Sequence, residues 1–261
     1  MLITIDLETV PSQLPEVLED IRADKQAALD LALASIRPPG NYKKQETIDQ
    51  WLADEAPKQA QLLTDAFADE VDAAYRKTSL DGAYGQICVI GLAVNDAPAF
   101  TLCLGDDWAN EEGLLLDFAD CLDSIIPAKE LFTTTVIGHN VCGFDLRFLM
   151  QRAIVHGIKP HPAIQRAAQA KPWESEKVAD TMVMWAGLGN RIKLDKLCRV
   201  LGIKSPKDGI DGSKVWDAVQ SGRIGEVAAY CARDVEATRA VYRRLTFKPV
   251  EVVEAFADLF V

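Results

Sequence analysis

Basic residues are in short supply in this chain: 28 Lys and Arg stand against 39 Asp and Glu, giving a net charge of −11 over 261 residues. A protein that coats a duplex by bulk electrostatics is normally basic, so the totals exclude that mode of binding. They leave open an enzyme that grips a few nucleotides locally through bound cations. Histidine is scarce too, at His139, His156 and His161. The six cysteines (Cys88, Cys103, Cys121, Cys142, Cys198 and Cys231) form no C-x-x-C pair and no Cys/His zinc spacing. Each lies in an apolar or periodic stretch, where a free thiol behaves as a small hydrophobe, so a reduced, cytoplasmic protein is expected. No apolar run reaches the roughly 18 residues that a membrane span needs, and no membrane association is expected. The first residues read at once as a strand with no basic region before them, so no signal peptide is expected. What is present is an ordinary globular composition, 49% apolar and 26% charged, able to bury a core.

Leu2, Ile3 and Ile5 mark a short buried strand ending at Asp6–Glu8. Residues 11–84 differ from the rest: helical periodicity, many Ala, Asp and Glu, and a break at Pro38-Pro39-Gly40. The pattern predicts one helix over about 15–36 and another over about 47–75, closed by the turn signal Asp81-Gly82. Gln86–Val94 and Ala99–Leu104 read as a hairpin around Asn95-Asp96-Ala97-Pro98. Helical spacing over 111–126 is followed by a strand over Thr133–Ile137 and then Gly138-His139-Asn140. From Phe144 the pattern is helical to about His156, and beyond it helices are expected near 192–201, 213–220 and 224–245. Strands crowd the first half and helices the second, which predicts one α/β domain over 1–261, a mixed sheet flanked by helices, with 11–84 as a helical insertion between the first two strands.

Three acidic elements recur along this frame. Asp6 and Glu8 are two apart on a strand, so both side chains leave the same face. Two carboxylates side by side resist joint ionisation, a penalty that a divalent cation removes; an acidic strand end in solvent is the plainer alternative. Asn140-Val-Cys-Gly-Phe144-Asp145 sits where a strand becomes a helix, the place where open α/β sheets hold ligands, although Asp145 could equally cap the helix. Tyr230-Cys-Ala-Arg-Asp234 lies on a helix, where positions i and i+4 share a face. Taken singly, each has an ordinary structural explanation. The three in this order do not read as solvated surface.

With these segments the sequence resembles the DEDD exonucleases of the RNase H-like fold, in their tyrosine branch. Ile5-Asp6-Leu7-Glu8-Thr9, Gly138-His139-Asn140 through Phe144-Asp145, and Tyr230 through Asp234 carry the resemblance. The stretch Lys204–Val215 with Trp216 is similar to stand-alone phage and prophage relatives of family-B DNA polymerase proofreading domains. The resemblance covers residues 1–10 and about 85–245. It implies that Asp6, Glu8, Asp145 and Asp234 ligate two divalent cations, Mg2+ or Mn2+, and that Tyr230 orients the attacking water or helps deprotonate it. A sister branch puts a histidine in that role, and none of the three histidines lies in the third element. Thr9 and Asn140 would contact the terminal nucleotide. The implied activity is 3′→5′ hydrolysis of a nucleic acid with a free 3′ end, with single-stranded DNA as the expected partner and 5′-mononucleotides as products. RNA trimming by the same site and a non-catalytic nucleic-acid-binding module are the competing readings. No polymerase or helicase motif follows the third element, so an activity in trans is expected. The 11–84 insertion departs from the minimal pattern and leaves substrate access open.

Other features carry less. Arg191, Lys193, Lys196, Arg199, Lys204 and Lys207 cluster with Asp195 as the one acid before Asp208, either a local nucleic-acid track or a solvated helix face. Lys43 and Lys44 beside Tyr42 read as a substrate clamp or an exposed turn. Asp180-Thr181 reads as a helix start. The five Trp residues, at 51, 108, 173, 185 and 216, are scattered, and core packing is expected of them.

Overall fold

The computed structural model describes residues 1–105, 110–206 and 211–249; Trp108, Lys207 and Asp208, singled out above, lie outside these ranges. Among the described residues five strands make one mixed sheet: β1 (Leu2–Val10), β2 (Gln86–Val94), β3 (Phe100–Cys103), β4 (Thr135–Gly138) and β5 (Val178–Asp180). Their order is β3-β2-β1-β4-β5. The chain runs along β1, returns antiparallel on β2 and reverses again on β3, while β4 and β5 run parallel to β1. In β1 the residues Ile3, Ile5 and Leu7 alternate with Thr4, Asp6 and Glu8, so both acids share a face with Thr4. A register shift between Glu8 and Thr9 bends the strand just beyond them.

Between β1 and β2, residues 11–85 form a compact unit of their own. It holds α1 (Pro15–Ala34), α2 (Gln45–Asp54) and α3 (Ala56–Lys77). The ion pair of Lys25 with Glu70 at 3.2 Å joins α1 to α3. At one end Tyr75 Oη donates to the Ser12 carbonyl at 2.7 Å, and the Ser12 N–H donates to Thr78 Oγ1 at 2.9 Å. The sequence pattern predicts one helix over 47–75; the structure has two, divided at Glu55. Pro57 explains the division. Inside a continuous helix it would lack an N–H, and its ring would strike the carbonyl four residues back, so it sits in the first turn of α3 instead.

The remaining helices are α4 (Glu111–Ile125), α5 (Asp145–Val155), α6 (Pro162–Ala168), α7 (Thr181–Ala186), α8 (Leu194–Leu201), α9 (Val215–Gln220) and α10 (Ile224–Leu245). The core joins Ile3, Ile5 and Leu7 to Ile90 and Leu92, to Phe118 and Leu122 of α4, and to Phe148 and Leu149 of α5. Buried Glu111 ties α4 to its neighbours: Arg152 donates to it through Nε at 3.0 Å and Nη2 at 2.6 Å, and the Ile87 N–H at 2.7 Å. Helix α6 agrees with the mainly helical second half expected from the sequence, whereas strand β5 was not legible, because a three-residue strand is too short to show a period.

Candidate active site

The acids of β1, the start of α5 and the middle of α10 converge on one spot. A glycine makes the approach of α10 possible. Gly91 pairs with Asp6 across the β1–β2 ladder, and a Cβ there would stand 2.7 Å from Cys231 Sγ and 2.9 Å from Val235 Cγ2. Any side chain at 91 would therefore push α10 off the sheet. With α10 seated, Cys231 Sγ lies 3.5 Å from both the carbonyl oxygen and Oδ2 of Asp6. Ligand-type atoms of Asp6, Glu8 and Cys231 all fall within 4.8 Å of one another, a grouping able to hold a metal ion.

Asp145 is the first residue of α5, and Phe144 occupies the cap position. Its carboxylate reaches across the sheet and accepts the Leu7 N–H at 3.0 Å, between the two acids of β1. Capping therefore does not account for it. Tyr230 is buried, and its phenol donates a hydrogen bond to Asp234, one turn further along α10.

The electrostatics follow from this crowding. Burial raises Asp6 well above the usual carboxylate range, and the negative charges of Glu8, Asp145 and Asp234 raise it further. Glu8 is raised by burial, then by Asp234 and Asp145. Asp145 is pushed up to about 7 by burial and by Asp180 and Asp234, against the N–H donors of its own backbone and Leu7. Burial, then the charges of Asp234, Glu8 and Asp6, lifts the Tyr230 phenol above its ordinary value. The Cys231 thiol rises by burial and the same acids, so it stays protonated.

Asn140 stands at φ +66°, in the left-handed region that Asn tolerates better than most residues. Its side-chain oxygen lies over Gly143, 2.5 Å from where a Cβ would be. The turn is held by Asp180, which accepts the Asn140 N–H at 3.0 Å and the Cys142 N–H at 3.1 Å. Asp180 also caps α7 through the Met182 N–H at 3.0 Å. The sequence showed only the capping, because the other contacts reach back about forty residues. Thr9 follows the bulge at the end of β1, partly buried and next to Glu8. Lys43 Nζ donates to the Gly40 carbonyl of its own turn at 3.2 Å. Trp51 packs inside as expected, but Trp173 and Trp185 are exposed, which corrects the expectation of core packing for both. All six cysteines are free.

Comparison with known proteins adds the following. No curated protein matches the chain. Among solved structures, the family B DNA polymerase of the hyperthermophilic archaeon Pyrobaculum calidifontis is similar, with a TM-score of 0.53 and 13% identity. That match covers 94% of this chain and 24% of the polymerase, so the chain spans about a quarter of its length, and the likeness is one of fold. A family model described as a predicted 3′-5′ exonuclease related to the exonuclease domain of PolB matches residues 80–254. The match begins beyond Asp6 and Glu8, which strand pairing brings back beside it through Gly91 and Val89. With more than half of its length matched, the chain belongs to this family of predicted 3′-5′ exonucleases related to the PolB exonuclease domain.

Proposed function

We propose that the protein is a metal-dependent exonuclease that releases 5′-mononucleotides from the 3′ end of single-stranded DNA. In this reading Asp6, Glu8, Asp145 and Asp234 hold two divalent cations, Mg2+ or Mn2+. The observation that carries it is the meeting of these carboxylates at one site where they raise one another's pKa values. Such a group gains from a cation, and an oxygen-rich donor set suits Mg2+ or Mn2+. When bound, the cations neutralise the phosphate and assist both the attack of water and the departure of the 3′ oxygen. Tyr230, held by its bond to Asp234, is protonated at neutral pH and acts by positioning the water rather than as a base. Asn140, fixed by Asp180, and Thr9 contact the terminal nucleotide. Preference for DNA rests on the family's relation to a polymerase exonuclease domain.

Single-stranded DNA and RNA labelled at either end, incubated with Mg2+, Mn2+ or EDTA, test this directly. Stepwise loss from the 3′ end of DNA is expected, abolished by EDTA and by Asp6→Ala, Glu8→Ala, Asp145→Ala or Asp234→Ala. Tyr230→Phe should slow turnover by on the order of 10²–10⁴-fold. Degradation from the 5′ end, or full activity in EDTA, overturns the proposal.

A further inference from the structure

In a chain with a net charge of −11, the stretch from Thr181 to Pro206 carries five cations and one acid. Arg191, Lys193, Lys196, Arg199 and Lys204 are all exposed. The acid, Asp195, is engaged by Arg199 at 3.0 Å and by Ser205 at 2.5 Å. Helix α8 sorts its residues cleanly. Leu194, Leu197, Cys198 and Leu201 pack with Ala237, Val241 and Leu245 of α10, leaving Lys193 and Lys196 to solvent.

This basic stretch is tied to the proposed site at two points. His139, the neighbour of Asn140, places Nε2 2.8 Å from the Ile192 carbonyl oxygen and Nδ1 2.9 Å from Thr181 Oγ1. A carbonyl only accepts, so Nε2 carries the proton of the neutral ring. Burial lowers the His139 pKa, which keeps the ring in that state. Arg191 and Lys193 flank Ile192 and are thereby fixed beside the Asn140 turn. At the other end Arg233, the neighbour of Asp234, donates through Nε to the Pro206 carbonyl at 3.2 Å. The anchor at Thr181 also starts α7. Four residues on, on the same side of that helix, stands Trp185, 45% exposed.

We infer that this surface is the track for single-stranded nucleic acid leading away from the terminal nucleotide, with Arg191, Lys193, Lys196 and Lys204 on phosphates and Trp185 stacking on a base. Charge complementarity selects a polyanion, and a free aromatic face selects unpaired bases over a duplex. The inference deepens the nuclease reading, yet strand binding itself needs no catalysis, so the two fail separately.

The test measures anisotropy of labelled (dT)15 in EDTA over a salt series, and dinucleotide cleavage in Mn2+. Lys193→Ala with Lys196→Ala should lower the slope of log K against log salt by about 1.4, at roughly 0.7 per lost phosphate contact. Trp185→Ala should weaken binding about fivefold or more while leaving the slope alone, because stacking is not electrostatic. Both variants should melt like the wild type and cleave the dinucleotide at its rate. A lowered slope with no cleavage even by the wild type sinks the nuclease reading and keeps the track. An unchanged slope, no salt-dependent binding by the wild type, or equal loss on the dinucleotide overturns the track.

Discussion

Glu111 and Asp145 are both buried carboxylates of the same sheet-and-helix unit, 2% and 4% exposed, yet their surroundings are opposite in kind. Around Glu111 the chain supplies everything a buried anion requires: the guanidinium of Arg152, a His156 ring nitrogen at 2.8 Å and the Ile87 N–H. Around Asp145 it supplies the Leu7 N–H and then further acids, Asp6, Glu8 and Asp234 among them. A buried charge met by an internal cation is a clip; this one fastens the first turn of α4 to the last turn of α5 and the start of β2. Buried acids that meet mainly other acids raise the energy of the empty fold. The second arrangement is explicable as a site for something cationic from outside, and the contrast can be tested by removing one group from each.

The largest effect is expected at Arg152. Arg152→Met leaves Glu111 buried without its main counter-charge and should cost about 3–5 kcal/mol, read as a loss in urea midpoint at unchanged m-value. Asp145→Asn should do the reverse in EDTA. The amide oxygen still accepts from Leu7, the uncompensated charge is gone, and the midpoint should rise. Equal destabilisation by both substitutions would erase the distinction between clip and site.

Added metal gives the next effect in size. A cation that binds only the folded site adds about 2.7 kcal/mol at a hundredfold excess over its Kd. Millimolar Mn2+ or Mg2+ should therefore raise the melting temperature of the wild type clearly, and should do so as well in an Arg152→Met protein that still folds. Asp145→Asn should respond weakly. A full metal shift in Asp145→Asn would remove Asp145 from the proposed ligand set.

The acid cluster's side of this contrast was largely readable in the sequence, and what was not has a physical reason. The two-residue spacing of Asp6 and Glu8 sufficed to put both on one face of β1, because strand periodicity is strictly local. The four-residue spacing of Tyr230 and Asp234 did the same on α10. Nothing local could reveal that Asp180 holds the Asn140 turn, or that Cys231 lies against Asp6, since those contacts join segments about 40 and 225 residues apart. Gly91 stands in an apolar strand with nothing local to mark it, and its purpose emerges only with α10 laid across it. The compensated acid was equally hidden. Glu111 opens a helix, where an acid is favourable anyway, and its partner lies in the next helix of this unit.

The effect that separates the two kinds of buried acid most finely is in pH. Asp145 titrates near 7 in the metal-free fold against an ordinary 3.8. Between those values the folded protein holds a proton that the unfolded chain has released, so stability falls as pH rises, by up to about 1.4 kcal/mol per pH unit for one carboxyl. Below 3.8 the penalty is absent, and above 7 it is complete. The other acids of the cluster titrate with it, so the transition belongs to the group rather than to one residue. Burial depresses the pKa of His139 and His161, and each works the opposite way, withdrawing stability as pH falls below 6.5. Comparing Asp145→Asn with the wild type cancels those histidine contributions to first order. In EDTA the variant should melt well above the wild type at pH 8, and the gap should narrow as pH falls toward 5 and vanish only below 3.8, where the unfolded carboxyl is protonated too. Scanning fluorimetry of both proteins across that range measures the gap. A gap that stays constant with pH would mean that Asp145 is ionised and compensated in the fold across the whole range, and the cluster would then resemble Glu111 rather than oppose it.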